Sequence, residues 1–173
     1  MHTIAETPRL RLREFTPADA PAMCRLNADA QMMRDMPAPA DNSVPAERTR
    51  LAAYIARAYR ADGFGIWATI WRETDEIIGR CGLRRQVLDT GDYVELTYQI
   101  ASAWWGRGIA TEAALAIRDH AFNALGLDRL ISLVSSDNPA SRRVAEKVGM
   151  RCTGNVTCDD RVFGLYVLDR PVP

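Results

Sequence analysis

The sequence predicts an α+β domain: a mixed, mainly antiparallel central sheet flanked by helices, with one parallel β-α-β crossover. Three observations carry that expectation. Short runs of strand character recur along the chain, and two of them are separated by only four polar residues (RETD, Arg72 to Asp75), the spacing of an antiparallel hairpin. Three longer segments place apolar residues at steps of three and four between helix start and stop signals. Residues 93 to 135 read strand, helix, strand, and strands joined through a helix lie parallel.

In chain order, Arg9 to Phe15 (RLRLREF) alternates arginine with Leu10 and Leu12, a strand with one solvated face. TPADA follows, with Thr16 as N-cap, Pro17 at the first helical position and Asp19 in the first turn, so a helix is expected to about Asn27. The proline-rich link MPAPADNSVP is too short to divide two domains. It leads to a second helix from about Pro45 to Arg60, with Leu51, Ile55 and Ala58 at helical spacing. GFGIWATIW and EIIGRCGLRR form the hairpin, and Tyr93 to Ile100 (YVELTYQI) a further strand.

Ala114, Ile117, Ala121 and Ala124 make the apolar stripe of a helix that stops before Gly126. RLISLVSS is a buried strand. Asn138 and Pro139 supply the N-cap and first position of the last helix, with Ala140, Val144 and Val148 on one face and Gly149 at its end. MRCTGNVT and RVFGLYVL close the sheet. The expected order is β-α-α-β-β-β-α-β-α-β-β, without internal repeats.

A chain of 173 residues has the size of one domain and can bury a core without staples. Its composition, 47% hydrophobic and 25% charged, is that of a soluble globular protein. The 22 basic residues balance the 22 acidic ones, which leaves no electrostatic footprint for nucleic acid, so any anion site must be local. MHTIAETPRLRLREF lacks an apolar leader core, and no stretch approaches roughly 18 consecutive apolar residues, so a cytoplasmic protein without a membrane partner is expected. Cys24, Cys81, Cys152 and Cys158 form no C-x-x-C pair, and His2 and His120 lie apart from them. Buried or half-buried free thiols are expected, with neither a metal site nor a disulfide framework.

The segment with most chemistry is WWGRGIATEA, Trp104 to Ala113. The strand ending at Ile100 runs through ASAWW into a glycine turn and a helix. Such a junction gathers backbone N–H groups at the positive end of a helix, and Gly106 and Gly108 let the backbone approach a ligand. A phosphate or pyrophosphate is the expected ligand, although the glycines alone equally fit an ordinary turn in which they relieve strain. Neither the G-x-x-x-x-G-K-[ST] pattern nor G-x-G-x-x-G is present.

WGRGIATEA resembles the pyrophosphate-binding motif of GNAT-type N-acetyltransferases, and closely that of their RimJ/RimL branch, which acetylates protein N-termini. The resemblance extends from RLRLREFTPADA through TYQIASAWWGRGIATEA to NPASRRVAEKVGM, most of the chain, and implies one GNAT domain over residues 1–173. In the superfamily motif, glutamine or arginine is followed by two residues, glycine, one residue, then glycine or alanine. Gly108 and Ala110 match its last two defined positions, and Trp105 replaces the glutamine or arginine.

The resemblance implies acetyl-CoA as co-substrate, with its pyrophosphate on the backbone amides of Arg107, Gly108, Ile109, Ala110 and Thr111. It also implies that the strand ending at Ile100 splays from the strand of Leu130 to Ser135. Backbone near Tyr98 and Ile100 would pair with the pantetheine arm like an added strand, and Asn138 would contact the same arm.

Acetyl transfer to an amine needs a neutral nucleophile, a stabilised oxyanion and a proton for the departing thiolate. At pH 7 roughly a tenth of an α-amine with pKa near 8 is neutral, against below about a thousandth of a lysine, so an α-amine asks less of a base. Many superfamily members place a tyrosine on the helix after the asparagine to protonate the thiolate; here that position is Ala145. Ser141 matches the N-x-x-S of the RimJ/RimL pattern and is the candidate donor to the thiolate, with a plain first-turn serine as the alternative. Glu95 matches an acidic position of that branch and is the candidate acceptor of the amine proton through water, with a solvent-facing strand glutamate as the alternative.

Arg107, Arg142 and Arg143 are candidates for the CoA phosphates or else surface arginines, and Trp104 and Trp105 are packing residues. The expected activity is direct transfer from acetyl-CoA to a primary amine in a ternary complex, foremost the α-amine of a peptide or protein N-terminus. A small amine such as an antibiotic or polyamine, a non-catalytic acyl-CoA-binding module and, more weakly, a nucleotide-binding protein stay open. The superfamily often forms dimers, so the resemblance also allows a homodimer.

Overall fold

The computed structural model describes residues 2–37 and 39–171, so Ala38 of the proline-rich link and the extreme termini lie outside the described residues. The elements are β1 (Thr3–Glu6), β2 (Leu10–Arg13), α1 (Ala20–Asn27), α2 (Val44–Arg57), β3 (Ile66–Trp71), β4 (Glu76–Leu88), β5 (Gly91–Ile100), α3 (Ile109–Asn123), β6 (Arg129–Ser135), α4 (Pro139–Val148), β7 (Arg151–Cys158) and β8 (Arg161–Asp169). One eight-stranded sheet runs in the order β1-β2-β3-β4-β5-β6-β8-β7. Among the described residues every neighbouring pair is antiparallel except β5 and β6, which α3 connects. The predicted α+β architecture with its single parallel crossover is the observed one.

Both faces of the sheet are covered, and β3 shows how. Trp67 belongs to a core with Leu10, Leu83, Leu96, Ile117 and Val148, on the side of α3 and α4. Its neighbours Ala68 and Ile70 join Phe15, Met23, Leu26 and Leu51, on the side of α1 and α2. A strand buried on both faces reads as a nearly continuous apolar run, as IWATIW does.

The structure corrects several expectations. Strand β1 is absent from the sequence reading, because TIAE is only four residues long and its place is set by pairing with β2. Strands β4 and β5 both extend beyond their expected bounds and pair as a second hairpin, not foreseen in the sequence, that turns at Asp89 and Thr90. Helix α2 ends at Arg57, and a wider turn over Ala58–Asp62 follows it. Ala124 is exposed beyond the end of α3, and in α4 the exposed Ala140 yields the buried stripe to Ala145 and Val148. Cys81 is buried and Cys24 and Cys158 half-buried, but Cys152 is exposed. Both outermost strands are irregular: β1 shifts register between Thr3 and Ala5, and β7 between Cys152 and Gly154. No described helix is long and apolar enough to cross a membrane.

The arginines of RLRLR do not form the solvated face expected of them. Arg11 pairs with Asp75, Arg9 reaches Glu112 of α3, and Arg13 is only 8% exposed. The Arg13 guanidinium donates to both carboxylate oxygens of Asp19, at 2.7 and 2.9 Å, and Asp19 also accepts the Thr16 N–H at 2.7 Å. The residue expected to open the first helix thereby supplies the counter-ion that lets an arginine leave water. Burial raises the Asp19 carboxyl, but the hydrogen bond and charge of Arg13, with the Thr16 amide, reverse this and hold it below its ordinary value.

A carboxyl depressed in the folded state contributes stability above its unfolded pKa, near 3.9, and loses that contribution as pH falls through the folded value. Asp19→Ala should therefore lower stability at pH 7 by about 3–5 kcal/mol, seen as a reduced denaturant midpoint at unchanged slope. Over the acidic range below about pH 5, Asp19→Asn should lose stability less steeply than the wild type.

Candidate active site

Among the described residues β5 and β6 share a single register pair, Glu95 with Ile131. Just beyond it the Ser132 hydroxyl donates to the Leu96 carbonyl at 2.6 Å. From there the strands follow their outer partners: β5 stays with β4 as far as the Gly79–Ile100 pair, and β6 stays with β8 as far as Ser135 and Phe163. The edges at 97–100 and 133–135 are left facing a split in the sheet.

Strand alternation sorts the β5 side chains to the two sides of the sheet. Tyr98 points toward α4, where its phenol donates to the Ser141 carbonyl at 2.9 Å and accepts from the Ser141 hydroxyl at 3.2 Å. Burial pushes the phenol up to about 12, against the opposing hydrogen bond of Ser141, so it stays protonated at neutral pH. Ala145 is buried one turn further along α4 and offers no hydroxyl. The side chain of Tyr98 is thus a site group that sequence reasoning, which placed Tyr98 by its backbone, missed; the alternation in YVELTYQI was the available signal.

Glu95, Thr97 and Gln99 occupy the opposite side, with Arg80 and Arg84 of β4 beside them. Glu95 is 4% exposed, which removes the solvent-facing alternative. One of its oxygens accepts from Arg84 Nε at 2.6 Å and the other from the Leu133 N–H at 3.4 Å. The carboxylate therefore bridges the two strands where they part.

The N-cap residue Asn138 accepts the Ser141 N–H at 3.0 Å, as expected. Its side-chain amide also donates to Asp35 at 2.9 Å, and the Asp35 carbonyl accepts from Arg161 at 3.0 Å. Asp29 accepts the Ser102 N–H at 2.7 Å. The turns at residues 28–36 are thereby tied to β8, to the start of α4 and to the segment after β5. No local pattern marks Asp35 or Arg161 in the sequence, since these contacts span more than a hundred residues.

At the other end of the split, α3 starts from Gly108, and its first hydrogen bond runs from the Glu112 N–H to the Gly108 carbonyl at 3.0 Å. The N–H groups of Ile109, Ala110 and Thr111 have no protein acceptor among the described residues. Gly106 and Gly108 have φ of 77° and 75°. A Cβ at Gly106 would meet nothing within 4 Å, and one at Gly108 only Arg9 at 3.8 Å, so left-handed backbone rather than shortage of room selects glycine here.

Arg9 holds this turn. It donates to Glu112 at 2.6 Å and to the Arg107 carbonyl at 3.0 Å, while Thr7 donates to Glu112 at 2.6 Å. Burial raises the Glu112 carboxyl, but these hydrogen bonds and the charge of Arg9 bring it below its ordinary value.

Trp104 packs 4.9 Å from Trp71, and Arg107 lies over Trp104 at 5.0 Å. Trp105 is 45% exposed, yet its indole donates to the Ile100 carbonyl at 2.6 Å and fixes the end of β5. Arg142 and Arg143 are exposed, and Arg142 donates to the Ser136 carbonyl at 3.2 Å. Free amides at a helix start fit a pyrophosphate, and two unpaired strand edges fit an extended, amide-bearing arm.

Known proteins share this fold. The sequence profile of the acetyltransferase (GNAT) domain matches residues 9–151. The chain is 29% identical over 154 residues to the uncharacterized N-acetyltransferase YoaA of Bacillus subtilis (strain 168), across 89% of this chain and 86% of that one. It is 33% identical over 104 residues to the Bacillus subtilis (strain 168) protein YkkB, an alignment that spans only 60% of each. The solved structure of RimL, the ribosomal L7/L12 alpha-N-protein acetyltransferase in complex with coenzyme A, has the same fold: TM-score 0.77, 16% identity, 97% of this chain and 98% of that one. The chain belongs to the acetyltransferase (GNAT) family; it is an N-acetyltransferase, with acetyl-CoA as its acetyl donor and an amine as its acceptor.

The left-handed turn is directly testable. Gly108→Val should weaken coenzyme A binding by about 1–2 kcal/mol, the cost of forcing a side chain into that region, whereas Gly108→Asn should lose less, because asparagine visits it more readily. Isothermal titration of both variants checks the order.

Proposed function

We propose that the protein acetylates the α-amine of a peptide or protein N-terminus in the cytoplasm, in the manner of the RimJ/RimL branch, by direct transfer in a ternary complex. The observation that carries this reading is the bridging state of Glu95. Both oxygens of this carboxylate already accept hydrogen bonds, from Arg84 and from the Leu133 N–H, so the fold engages it in joining the strands, an arrangement suited to an acceptor that arrives partly neutral. An α-amine meets that demand at pH 7 and a lysine does not. The N-x-x-S pattern of Asn138 and Ser141 and the likeness of the fold to RimL support the same reading.

The residues divide the work. The amides of Arg107, Gly108, Ile109, Ala110 and Thr111 bind the pyrophosphate, and Arg9 and Glu112 hold the turn that presents them. The backbone at Tyr98 and Ile100, together with Asn138, lines up the pantetheine arm along the split. The neutral amine nitrogen forms its bond to the thioester carbonyl carbon, the proton that this nitrogen then sheds passes through a water to Glu95, and the carbon–sulfur bond breaks to release coenzyme A as its thiolate. The Ser141 hydroxyl turns its one proton from the Tyr98 oxygen to the departing thiolate, while the Tyr98 phenol, donating to the Ser141 carbonyl, holds the start of α4 in place.

The test is incubation with acetyl-CoA and a mixed panel of N-terminal peptides, polyamines and aminoglycosides, with products identified by mass spectrometry. An acetylated peptide α-amine is expected; an acetylated small amine alone would replace the acceptor class, and coenzyme binding without any product would favour a binding module. Ser141→Ala should lower kcat at least about tenfold with little change in the KM for acetyl-CoA, and Glu95→Gln about a hundredfold with an altered pH–rate profile. Unchanged turnover in either variant removes that residue from the mechanism.

A further inference from the structure

The face of β4 and β5 that carries Glu95, the proposed acceptor of the amine proton, also carries an arginine with no ion pair among the described residues. Arg80 pairs across the strands with Gln99, which lies between Tyr98 and Ile100 on the edge of the split. Its guanidinium donates to the Gln99 side-chain oxygen and, weakly, to the Met33 sulfur at 3.7 Å. Met33 belongs to the turns at 28–36 that Asp35 ties to Asn138. The half-buried Arg80 therefore sits beneath that segment and beside the split.

Arginines of β2, β4 and the residue before β2 are matched: Arg9 with Glu112, Arg11 with Asp75, Arg13 with Asp19, Arg84 with Glu95 and Arg85 with Asp62. Arg80 has no such ion pair among the described residues. Glu47, whose charge acts on Arg80, is buried, forms no ion pair with it, and accepts on one oxygen from Arg50 at 2.6 and 3.0 Å and from Asn27 at 3.3 Å. Desolvation pulls the guanidinium below its ordinary value, against the opposing charge of Glu47. An amide oxygen and a thioether leave most of its five N–H donors without a protein acceptor among the described residues, and since none of its nitrogens is a buried unpartnered atom, those donors face solvent, where a ligand can reach them.

We infer that Arg80 is a recognition site for a carboxylate on the acceptor, so that the preferred substrate is an N-terminus with an acidic residue among its first three. This rests on the N-terminal reading above. The planar guanidinium suits a two-pronged carboxylate contact, and about 3.3 Å of reach per residue lets an acidic side chain near the start of a peptide lie on β4 while its α-amine enters the split. The same carboxylate chemistry is available from the main chain of a free amino acid, which the test separates.

The test uses the CoA-loaded protein and product-like probes whose acetylated nitrogen carries no charge, so that binding reports the carboxylate contact. Acetyl-Ser-Asp-Ala-amide is titrated against acetyl-Ser-Asn-Ala-amide, and acetyl-serine against acetyl-serinamide. Wild type should bind the aspartyl peptide at least about tenfold more tightly than its asparaginyl twin. Arg80→Gln should abolish that difference while leaving coenzyme A affinity unchanged, and Arg80→Lys, which keeps the charge in place, should retain part of it.

A preference that survives in Arg80→Gln, or no preference for either carboxylate in the wild type, overturns the inference, even if neutral N-termini are acetylated. An Arg80-dependent preference confined to acetyl-serine keeps the carboxylate site but overturns the peptide form of the acceptor. Should Arg80→Gln fail to fold, the wild-type preference and its partial retention in Arg80→Lys decide the matter.

Discussion

The structure depends on one constraint: two parallel strands that cannot stay paired. Each of β5 and β6 is held on its outer side by an antiparallel neighbour, β4 or β8, and those ladders fix the course of the inner edges. Past Glu95 and Ile131 the inner edges part, so backbone groups that any sheet would satisfy internally are left for something else. The adjoining features serve that split. Glu95 and Ser132 close its narrow end, Asn138 and Ser141 stand where β6 gives way to α4, and the turn before α3 places free N–H groups at its mouth.

The elements legible in the sequence are those whose signals are local. The strand, glycine turn and helix of TYQIASAWWGRGIATEA could be read because alternation, left-handed turn residues and helical spacing all lie within a few residues of one another. Asn138 as a helix cap is local in the same way. What stayed hidden depends on distant partners. Arg13 reads as a wet residue until Asp19 is brought beside it, and Glu95 reads equally as a site carboxylate or a solvent-facing glutamate until β6 is brought beside it. The hydroxyl pair of Tyr98 and Ser141 and the clasp from Asp35 to Asn138 join residues that only the assembled sheet makes neighbours.

Charge follows the same logic. A chain with equal numbers of acidic and basic residues has no long-range field to place an anionic ligand, so recognition must come from short-range geometry. Free amides at the start of α3 offer such geometry to an anion, and so does the Arg80 guanidinium, which has no ion pair among the described residues. Several other arginines of the sheet are paired within the fold and serve to fasten it: Arg9 pins the turn before α3 to the start of β2, and Arg84 pins Glu95 across the strands.

An open sheet ends in two edges, and each is a template on which a strand from another molecule could continue the ladder. Here the outermost strands are β1, only four residues long, and β7, which presents arginine, threonine and asparagine to solvent. Both break register, between Thr3 and Ala5 and between Cys152 and Gly154, and such irregularities twist an edge out of the flat geometry that docking demands. The backbone groups in the middle of the sheet are thus open to an extended ligand, while the margins are blunted against aggregation.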